Sequence, residues 1–211
     1  MNKKIILTIV LFTTLEMSSF GGVIWNFDSP SSTPSDIKKF GYFYVYTSST
    51  VKGKGVNGSN ALEIKIPAHN RTFGGGFELS SKAVLNLTSP STTSILYGFV
   101  AADKPNTFGV AIEVSDNTQG EKFIPPPGPY SSSGQKLQGQ IDSTLKPVQF
   151  DLRSFKRYKG KYSPNLKAIS SITWVFVDNT KESTGPLNFY LDNVGATDKP
   201  LPAELGNPGK K

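Results

Sequence analysis

The sequence of 211 residues contains no cysteine, which excludes disulfide bonds and thiolate metal sites. Its single histidine, His69, lies in a segment of loop character, and no serine has the glycine-flanked pattern of a nucleophile elbow. No stretch shows sustained helical periodicity, and no apolar run after the N-terminus is long enough to span a bilayer. These absences disfavour a helical fold, a membrane span and serine hydrolase chemistry.

Residues that favour strands and turns are abundant instead. The chain has 20 glycines and 15 prolines, many serines and threonines, and 36% hydrophobic residues. Roughly nine or ten short segments read as strands, with no gaps between them that are long enough for helices. This pattern predicts one all-β domain, a jelly-roll β-sandwich of two antiparallel sheets, rather than a parallel α/β sheet.

The N-terminus has the pattern of a secretory signal peptide. Two lysines precede a short apolar run, Ile5 to Leu15, and small residues follow it. We therefore predict a signal peptide over residues 1–21, the sandwich over 22–197, and a disordered, proline-rich and charged tail over 198–211. The predicted location is extracellular or periplasmic. After cleavage we expect a monomer without membrane contacts.

The net charge of +7 allows anionic polysaccharides or cell surfaces as partners. One loop combines this charge with aromatic residues: it holds Arg153, Lys156, Arg157, Tyr158, Lys159, Lys161 and Tyr162. Such a loop could bind a uronic-acid polymer through charge and stacking, or single-stranded nucleic acid. Predicted export disfavours nucleic acid as the partner. A solvated loop without a ligand is the alternative.

Tyrosines recur at alternate positions in the segment from Phe40 to Tyr46. Tyr42, Tyr44 and Tyr46 share one face of a predicted strand, and alternate residues of a strand lie ~6.6–6.8 Å apart. Rings at this spacing could stack on the apolar C–H faces of one extended glycan chain. The alternative is that one or two of these tyrosines are buried with satisfied hydroxyl groups.

Two further aromatic residues are candidates for the same role. Tyr130 follows a stiff proline run, Pro125 to Pro129, in a loop that cannot join a sheet. Trp174 lies in an apolar predicted strand, Ile169 to Val177, where it could stack on a ligand or pack in the core. The apolar surroundings favour the core for Trp174 and leave both alternatives open.

The segment from Leu187 to Val194 alternates between apolar and polar residues and predicts the last strand of the sandwich. Near its end stands Asp192, whose carboxylate could accept backbone N–H groups of a turn or bind a hard cation through oxygen. The first strand, which leads to Asp28, could lie beside it and supply further oxygen atoms.

Four segments resemble family 11 carbohydrate-binding modules and their galactose-binding-like relatives. They are Phe-Gly-Tyr-Phe-Tyr-Val-Tyr-Thr at 40–47, Phe-Gly-Gly-Gly-Phe-Glu-Leu at 73–79, Phe-Asp-Leu-Arg-Ser-Phe-Lys at 150–156 and Phe-Tyr-Leu-Asp-Asn-Val at 189–194. Their order and spacing cover nearly the whole predicted mature chain.

This resemblance implies a β-jelly roll that binds polysaccharide, often β-glucan, and often carries a structural calcium ion; it does not imply catalysis. By the same resemblance, Asp28 and Asp192 match positions that commonly hold calcium, together with carbonyl oxygens from the turn Gly53 to Ser59. Such modules usually accompany a glycoside hydrolase domain.

We therefore predict a secreted, non-catalytic polysaccharide-binding module that binds β-glucan or a related glycan by aromatic stacking. The predicted glycan-binding residues are Tyr42, Tyr44, Tyr46, Tyr130, Arg153, Tyr158 and Trp174, and no catalytic residue is assigned. One alternative is a lyase or hydrolase that acts on an anionic glycan, because scattered carboxylates alone do not exclude catalysis. Another is a structural adhesion or matrix protein without a discrete sugar site.

Overall fold

A computed structural model describes residues 22–41, 47–66, 73–87, 95–103, 108–117, 122–124, 143–157, 161–178 and 187–202. The strands are β1 (Gly22–Trp25), β2 (Asp36–Gly41), β3 (Thr47–Val51), β4 (Ala61–Ile66), β5 (Phe73–Leu85), β6 (Ile95–Ala102), β7 (Phe108–Asp116), β8 (Lys122–Ile124), β9 (Lys146–Asp151), β10 (Lys156–Arg157), β11 (Ile169–Asp178) and β12 (Leu187–Thr197). Short 3-10 turns cover Pro30–Ser32, Val56–Gly58 and Leu152–Ser154. Within these ranges no helix has the length and apolarity of a membrane span.

The strands form two six-stranded sheets. Sheet A has the order β3-β4-β12-β6-β9, and β1 also pairs with β12. Sheet B has the order β10-β8-β7-β11-β5-β2. Every strand pairing in both sheets is antiparallel. The predicted sandwich of two antiparallel sheets is therefore confirmed.

The main core contains alternate residues from both sheets. Leu96 and Val100 of β6 and Ile172 and Trp174 of β11 are at most 1% exposed and belong to this core. A Cβ atom at Gly98 would come within 2.7 Å of the Trp174 ring, so only glycine fits there. Because strand side chains alternate between faces, the intervening residues of each strand lie on the outer face of its sheet.

A second apolar cluster covers the outer face of sheet A. Its buried members are Val56, Ala61, Tyr97, Phe99, Ala101, Leu145, Tyr190 and Leu201. Leu201 reaches this cluster from the C-terminal segment, where its N–H donates to Gln149 Oε1 at 2.6 Å and its carbonyl accepts from Gln149 Nε2 at 2.7 Å.

The docking of Leu201 corrects part of the sequence prediction. Residues 198–202 were expected to belong to a disordered tail, but they follow sheet A and bury Leu201, which is 5% exposed. Burial of a leucine side chain and two hydrogen bonds offset the entropy cost of ordering these five residues. The predicted signal peptide and residues 203–211 lie outside the described residues.

Candidate functional site

The outer face of sheet B carries a row of polar residues that crosses four strands. Lys38 on β2 is paired with Glu78 on β5. Thr173 on β11 is paired with Glu78 on one side and with Glu113 on the other. Because both chain neighbours of Thr173 belong to the core, alternation places Thr173 and its row on the outer face.

An ion pair extends this row toward the next strand. Lys122 on β8 is paired in register with Ser115, two residues from Glu113 and therefore on the same face. Its Nζ atom lies 3.0 Å from Glu113 Oε2. The Glu113 side chain is 3% exposed, whereas that of Lys122 is 45% exposed. A carboxylate buried on an outer face is stabilised by such a partner, and the pair holds it in a fixed position.

Glycines lie next to this polar row on the same face. Two residues along from Glu78, Gly76 is paired with Val175, and two residues further Gly74 is paired with Val177. Val177 is paired with Gly109 on its other side. Because glycine has no side chain, a ligand can approach the backbone closely at these positions. On this face the three glycines, which form a low floor, lie beside Val175 and Val177 and beside a polar row in which Thr173 and Glu113 are buried and Glu78 is half-buried.

An exposed tyrosine stands beside the β10 edge of sheet B. Tyr162 is 71% exposed, and its carbonyl accepts a hydrogen bond from the N–H of Arg157 at 2.8 Å. This bond attaches the segment around Tyr162 to the edge strand. At the opposite edge of the sheet, β2 ends at Gly41, directly before Tyr42 in the chain. Tyr162 belonged to the predicted basic loop but was not chosen as a site residue.

Most of the predicted aromatic site cannot be compared with the structure. Tyr42, Tyr44, Tyr46, Tyr130 and Tyr158 lie outside the described residues. The tyrosine platform therefore stays a prediction.

Trp174 requires a correction. The structure places it in the core with 0% exposure, where its ring meets Phe150 edge to face with centroids 6.0 Å apart. Its neighbour Thr173 occupies the outer face, so alternation directs the indole inward. Trp174 is therefore a packing residue and not a ligand-stacking residue, as its apolar surroundings in the sequence favoured.

Arg153 is occupied by a neighbouring carboxylate. It lies in the turn between β9 of sheet A and β10 of sheet B. Its Nη2 atom is 2.6 Å from Asp151 Oδ2, and its Nε atom is 2.9 Å from Asp151 Oδ1. The hydrogen bond from Arg153 lowers the pKa of Asp151 below its ordinary value. The structure thus gives Arg153 a local partner and does not bring it to the polar row.

In its described part, the outer face of sheet A is filled by the second apolar cluster. Burial raises the pKa of Tyr97 to about 12. The Tyr190 hydroxyl donates to Asp103 Oδ1 at 2.8 Å, and Lys54 Nζ lies 5.1 Å from the centroid of the Tyr190 ring. Burial, followed by the hydrogen bond with Asp103, raises the pKa of Tyr190. Both tyrosines are committed to intramolecular contacts.

Asp28 and Asp192 are brought together at one end of sheet A. Asp192 is 0% exposed. Its Oδ2 atom accepts hydrogen bonds from the Val56 N–H at 2.7 Å and from Ser59 Oγ at 2.9 Å, whereas its Oδ1 atom is buried without a hydrogen-bond partner. Burial raises the pKa of Asp192 to about 6, and the negative charge of Asp28 adds to this rise. Asp28 Oδ1 itself accepts from the N–H of Asn60 at 2.9 Å.

The backbone around this acidic pair is strained and tightly packed. Phe27, Asn57 and Asn193 have positive φ angles of 58°, 57° and 44°, although none of them is glycine. A Cβ atom at Gly55 would lie 2.5 Å from Asp192 Oδ2 and would also meet the carbonyl of Asn60. Strained residues of this kind often cluster at ligand sites because the surrounding structure must hold them in place.

The donor set fits a hard cation in part. In the described ranges no group of three or more His, Cys, Asp or Glu residues could hold a metal. Calcium takes ~6–8 oxygen ligands, so carbonyl or amide oxygens would have to complete the two carboxylates. The buried, unpartnered Oδ1 of Asp192 is an oxygen ligand that such an ion would satisfy. The residues present therefore fit a cation that neutralises this pair.

The turn from Gly53 to Ser59 was expected to contribute carbonyl oxygens to a calcium ion, and this stays a prediction. The carbonyls of Gly55, Val56 and Ser59 each accept a hydrogen bond from an N–H group of the same turn, and a carbonyl oxygen has two lone pairs, so one such bond does not exclude a cation. The contacts of the turn with Asp192 are donors, the Val56 N–H and the Ser59 hydroxyl. The sequence analysis allowed for backbone N–H groups of a turn as partners of Asp192, but it did not identify which turn supplies them.

The sequence matches no protein-family model. It also matches none of the curated proteins.

Solved structures are similar in fold. An exo-β-agarase structure matches with a TM-score of 0.55 and 16% identity over 87% of this chain, which spans 26% of the agarase chain. The family 30 carbohydrate-binding module of a cellulosomal cellulase from Clostridium thermocellum matches with a TM-score of 0.52 and 12% identity, over 84% of this chain and 97% of the module.

A family 11 module from Clostridium thermocellum, solved in complex with a β-1,3-1,4-mixed-linked tetrasaccharide, also matches. Its TM-score is 0.47 and its identity 17%, over 77% of this chain and 89% of the module. At these identities the likeness concerns the fold. The resemblance indicated by the sequence is confirmed at that level: the chain has the β-sandwich fold of carbohydrate-binding modules.

Proposed function

We propose that this protein is a secreted, non-catalytic module that binds a polysaccharide on the outer face of sheet B. The observation that carries the proposal is the low glycine floor at Gly74, Gly76 and Gly109 beside the polar row of Glu78, Thr173 and Glu113. The carbohydrate-binding modules among the similar structures support a polysaccharide as the partner.

The two parts of this face suit the two parts of a sugar ring. A pyranose has apolar C–H faces and a rim of hydroxyl groups, and protein sites pair the rim with a few fixed polar groups. The half-buried carboxylate of Glu78 can accept hydrogen bonds from hydroxyl groups, while the glycines allow the ring to approach the backbone. Glu113 is only 3% exposed, and its charge is balanced by Lys122.

We propose that tyrosines at the two edges of sheet B supply stacking surfaces. Tyr42, Tyr44 and Tyr46 follow β2 in the chain, and Tyr162 is exposed beside β10. Flat rings at both ends of a floor would hold an extended chain across the strands. β-Glucan is the ligand that we would test first, because its linear chain presents repeated apolar faces.

We also propose a structural calcium ion between Asp28 and Asp192. When bound, it would neutralise the two carboxylates, and Asp192 Oδ1 would gain a partner. The ion would then connect the segment after β1, the turn Gly55 to Asn60 and β12. Support comes from the buried, unpartnered oxygen and from the strained backbone on each side of the pair.

Hydrolysis is a second candidate function, favoured by one observation. Glu78 and Glu113 lie on either side of Thr173, on strands that are separated by β11. Two strand spacings place their backbones about 10 Å apart, and carboxyl groups of inverting glycosidases lie ~6.5–9.5 Å apart. Release of reducing ends from a soluble glycan, lost in Glu78→Gln, would establish catalysis and overturn the non-catalytic proposal.

Affinity electrophoresis through gels that contain mixed-linkage β-glucan tests the binding proposal. Because the protein is basic, it must be run toward the cathode. We expect retardation that is insensitive to salt and that weakens about tenfold in Glu78→Ala, since a hydrogen bond to a charged group contributes ~1.5–3 kcal/mol. Glu63→Ala is the matched control, because Glu63 is also half-buried but lies on sheet A. Equal losses in both variants would contradict a site on sheet B.

A further inference from the structure

The β10 edge of sheet B lies in a part of the chain that lacks acidic residues. From Leu152 to Val177 the sequence contains no Asp or Glu, but it contains Arg153, Lys156, Arg157, Lys159, Lys161 and Lys167. A stretch of one charge sign produces a local electrostatic field, and dissolved ions screen this field strongly only at high ionic strength. This stretch therefore carries only positive formal charge.

Hydrogen bonds bring several of these residues together, and we call Lys156, Arg157, Lys161 and Tyr162 the basic edge. The N–H of Arg157 donates to the carbonyl of Tyr162 at 2.8 Å, and Lys156 Nζ lies 2.7 Å from Ser163 Oγ. Lys156 is paired with Ile124, so it shares the outer face of sheet B with Lys122. The basic edge thus continues the proposed glycan-binding face.

In the described part of the chain, three other basic side chains each lie beside a carboxylate. Arg153 is paired with Asp151, and Lys122 with Glu113. At the opposite edge of sheet B, Lys38 Nζ lies 3.5 Å from Asp36 Oδ2.

Lys156 instead has a neutral partner, Ser163, and both Lys156 and Lys161 are exposed. Tyr162, the large aromatic residue next to them, is 71% exposed. Two exposed ammonium groups beside an exposed ring match a ligand that carries negative charge next to a flat apolar surface.

We propose that the basic edge is a subsite for an anionic group, the carboxylate or the sulfate ester of a glycan whose adjacent ring stacks on Tyr162. This inference rests on the proposed glycan-binding function and specifies its ligand class: an acidic glycan binds more tightly than its neutral counterpart. Single-stranded nucleic acid, which also combines anions with flat rings, is the competing ligand in the test.

The experiment compares polymers that differ only in charge. Glucuronoxylan is matched with the same polymer after carboxyl reduction, and cellulose sulfate is matched with hydroxyethyl cellulose. Binding is measured by affinity electrophoresis at about 0.01 M and 1 M salt, where the screening length is ~30 Å and ~3 Å. The variant Lys156→Gln/Lys161→Gln is compared with Lys65→Gln/Lys199→Gln, which removes the same charge from exposed positions elsewhere.

We expect tighter binding of at least one acidic polymer than of its neutral match at low salt, and loss of that difference at high salt. Lys156→Gln/Lys161→Gln should weaken binding of the acidic polymer roughly 2- to 30-fold, as expected for two exposed charge pairs. It should leave binding of the neutral polymer unchanged, and the control variant should behave like the wild type. The pair of polymers that shows the difference identifies the anion as carboxylate or sulfate.

Four outcomes would overturn the inference. Equal binding of acidic and neutral polymers removes the subsite but leaves the proposed function intact. An equal loss in the control variant shows that net charge alone attracts the polymer. Tighter binding of single-stranded DNA than of the acidic glycans makes nucleic acid the better ligand. Absence of binding to every polymer contradicts the proposed function as well, so the two failures are distinguishable.

Discussion

The two outer faces of this sandwich are built from the same kind of strands but are arranged for different tasks. On sheet A, the outer face is filled by an apolar cluster that includes Tyr97 and Tyr190, and at one end it holds the buried carboxylate of Asp192. On sheet B, the outer face combines a glycine floor with a polar row. The outer face of sheet A is buried within the fold, whereas we propose that the outer face of sheet B binds the ligand.

Removal of the Asp192 carboxylate should have the largest effect on the sheet A side. Asp192→Ala leaves the Val56 N–H without its acceptor and leaves the Ser59 hydroxyl with only the Val56 carbonyl. We expect a loss of about 3 kcal/mol in the free energy of unfolding, which lowers Tm by roughly 6–12 °C in a domain of this size. Thermal denaturation in the presence of calcium measures this decrease in Tm. Asp36→Ala, which removes an exposed carboxylate from sheet B, should change Tm little; similar losses in both variants would break the comparison.

Calcium should stabilise the wild-type protein through the same region. Saturation at 100 times the dissociation constant raises the free energy of unfolding by about 2.7 kcal/mol. Chelation should reverse the rise in Tm, and Asp28→Asn should remove most of it because one of the two carboxylates is lost. A rise in Tm that is equal in Asp28→Asn and wild type would place the ion elsewhere.

Adding one methyl group to each face separates packing from binding. A Cβ atom at Gly195 would clash with the Tyr97 hydroxyl, so Gly195→Ala should destabilise the fold by about 1–3 kcal/mol with unchanged glycan affinity. Gly76→Ala should leave Tm nearly unchanged and weaken glycan binding, because the added methyl group would occupy the space in which the sugar ring approaches the backbone of sheet B. Denaturant unfolding and affinity electrophoresis of both variants test this. Weaker glycan binding in Gly195→Ala together with a lower stability of Gly76→Ala would show that sheet A binds the glycan and that sheet B contributes the stability.

The pH dependence of stability should change sign with calcium. The folded-state pKa of Asp192 is about 6, above its ordinary value of 3.8. When a chelator removes calcium, the contribution of Asp192 to the free energy of unfolding is therefore fully present below about pH 4. It is lost as pH rises through 6, and the loss is on the order of 1–3 kcal/mol. With calcium, stability should instead increase over the same interval, because the ion binds the ionised form. Subtracting the profile of Asp192→Asn isolates this residue; identical profiles would contradict the assignment.

Tyr162→Ala should give the smallest effect, and only on binding. The side chain is 71% exposed, so we expect an unchanged Tm. Loss of one stacking ring should weaken glycan affinity roughly 2- to 10-fold. Titration calorimetry with a soluble β-glucan oligosaccharide measures the change. Unchanged affinity would remove Tyr162 from the site and weaken the argument for the β10 edge.

Features of the structure could be predicted from the sequence where apolar and polar residues alternate or where a segment resembles a known family. The strict alternation around Leu191 indicated a strand with one buried and one wet face; Leu191 is indeed in the core, but Tyr190 and Asp192 on the other face are buried as well. Asp28 and Asp192 were expected near each other by resemblance, and Asp28 raises the pKa of Asp192. By contrast, β11 carries apolar residues on both faces, so its sequence left the direction of Trp174 open.

Other features depend on contacts between distant parts of the chain and left no periodic signal. Leu201 stands in a proline-rich tail that has no alternation, and its position depends on two hydrogen bonds with Gln149 and on burial in the outer cluster of sheet A. The ion pair of Glu113 and Lys122 depends on the register between β7 and β8. Tyr162 was visible as part of a basic loop, but its exposure follows from the hydrogen bond that ties the loop to β10.

Mapping of backbone amide chemical shifts during titration with a mixed-linkage β-glucan oligosaccharide tests the central claim most directly. If the glycan binds the outer face of sheet B, the largest changes occur at Gly76, Glu78 and Thr173, while Phe99 and Asp192 on sheet A show none. Changes concentrated on Phe99, Tyr190 or the turn next to Asp192 would contradict the claim that the two faces divide stability and binding between them.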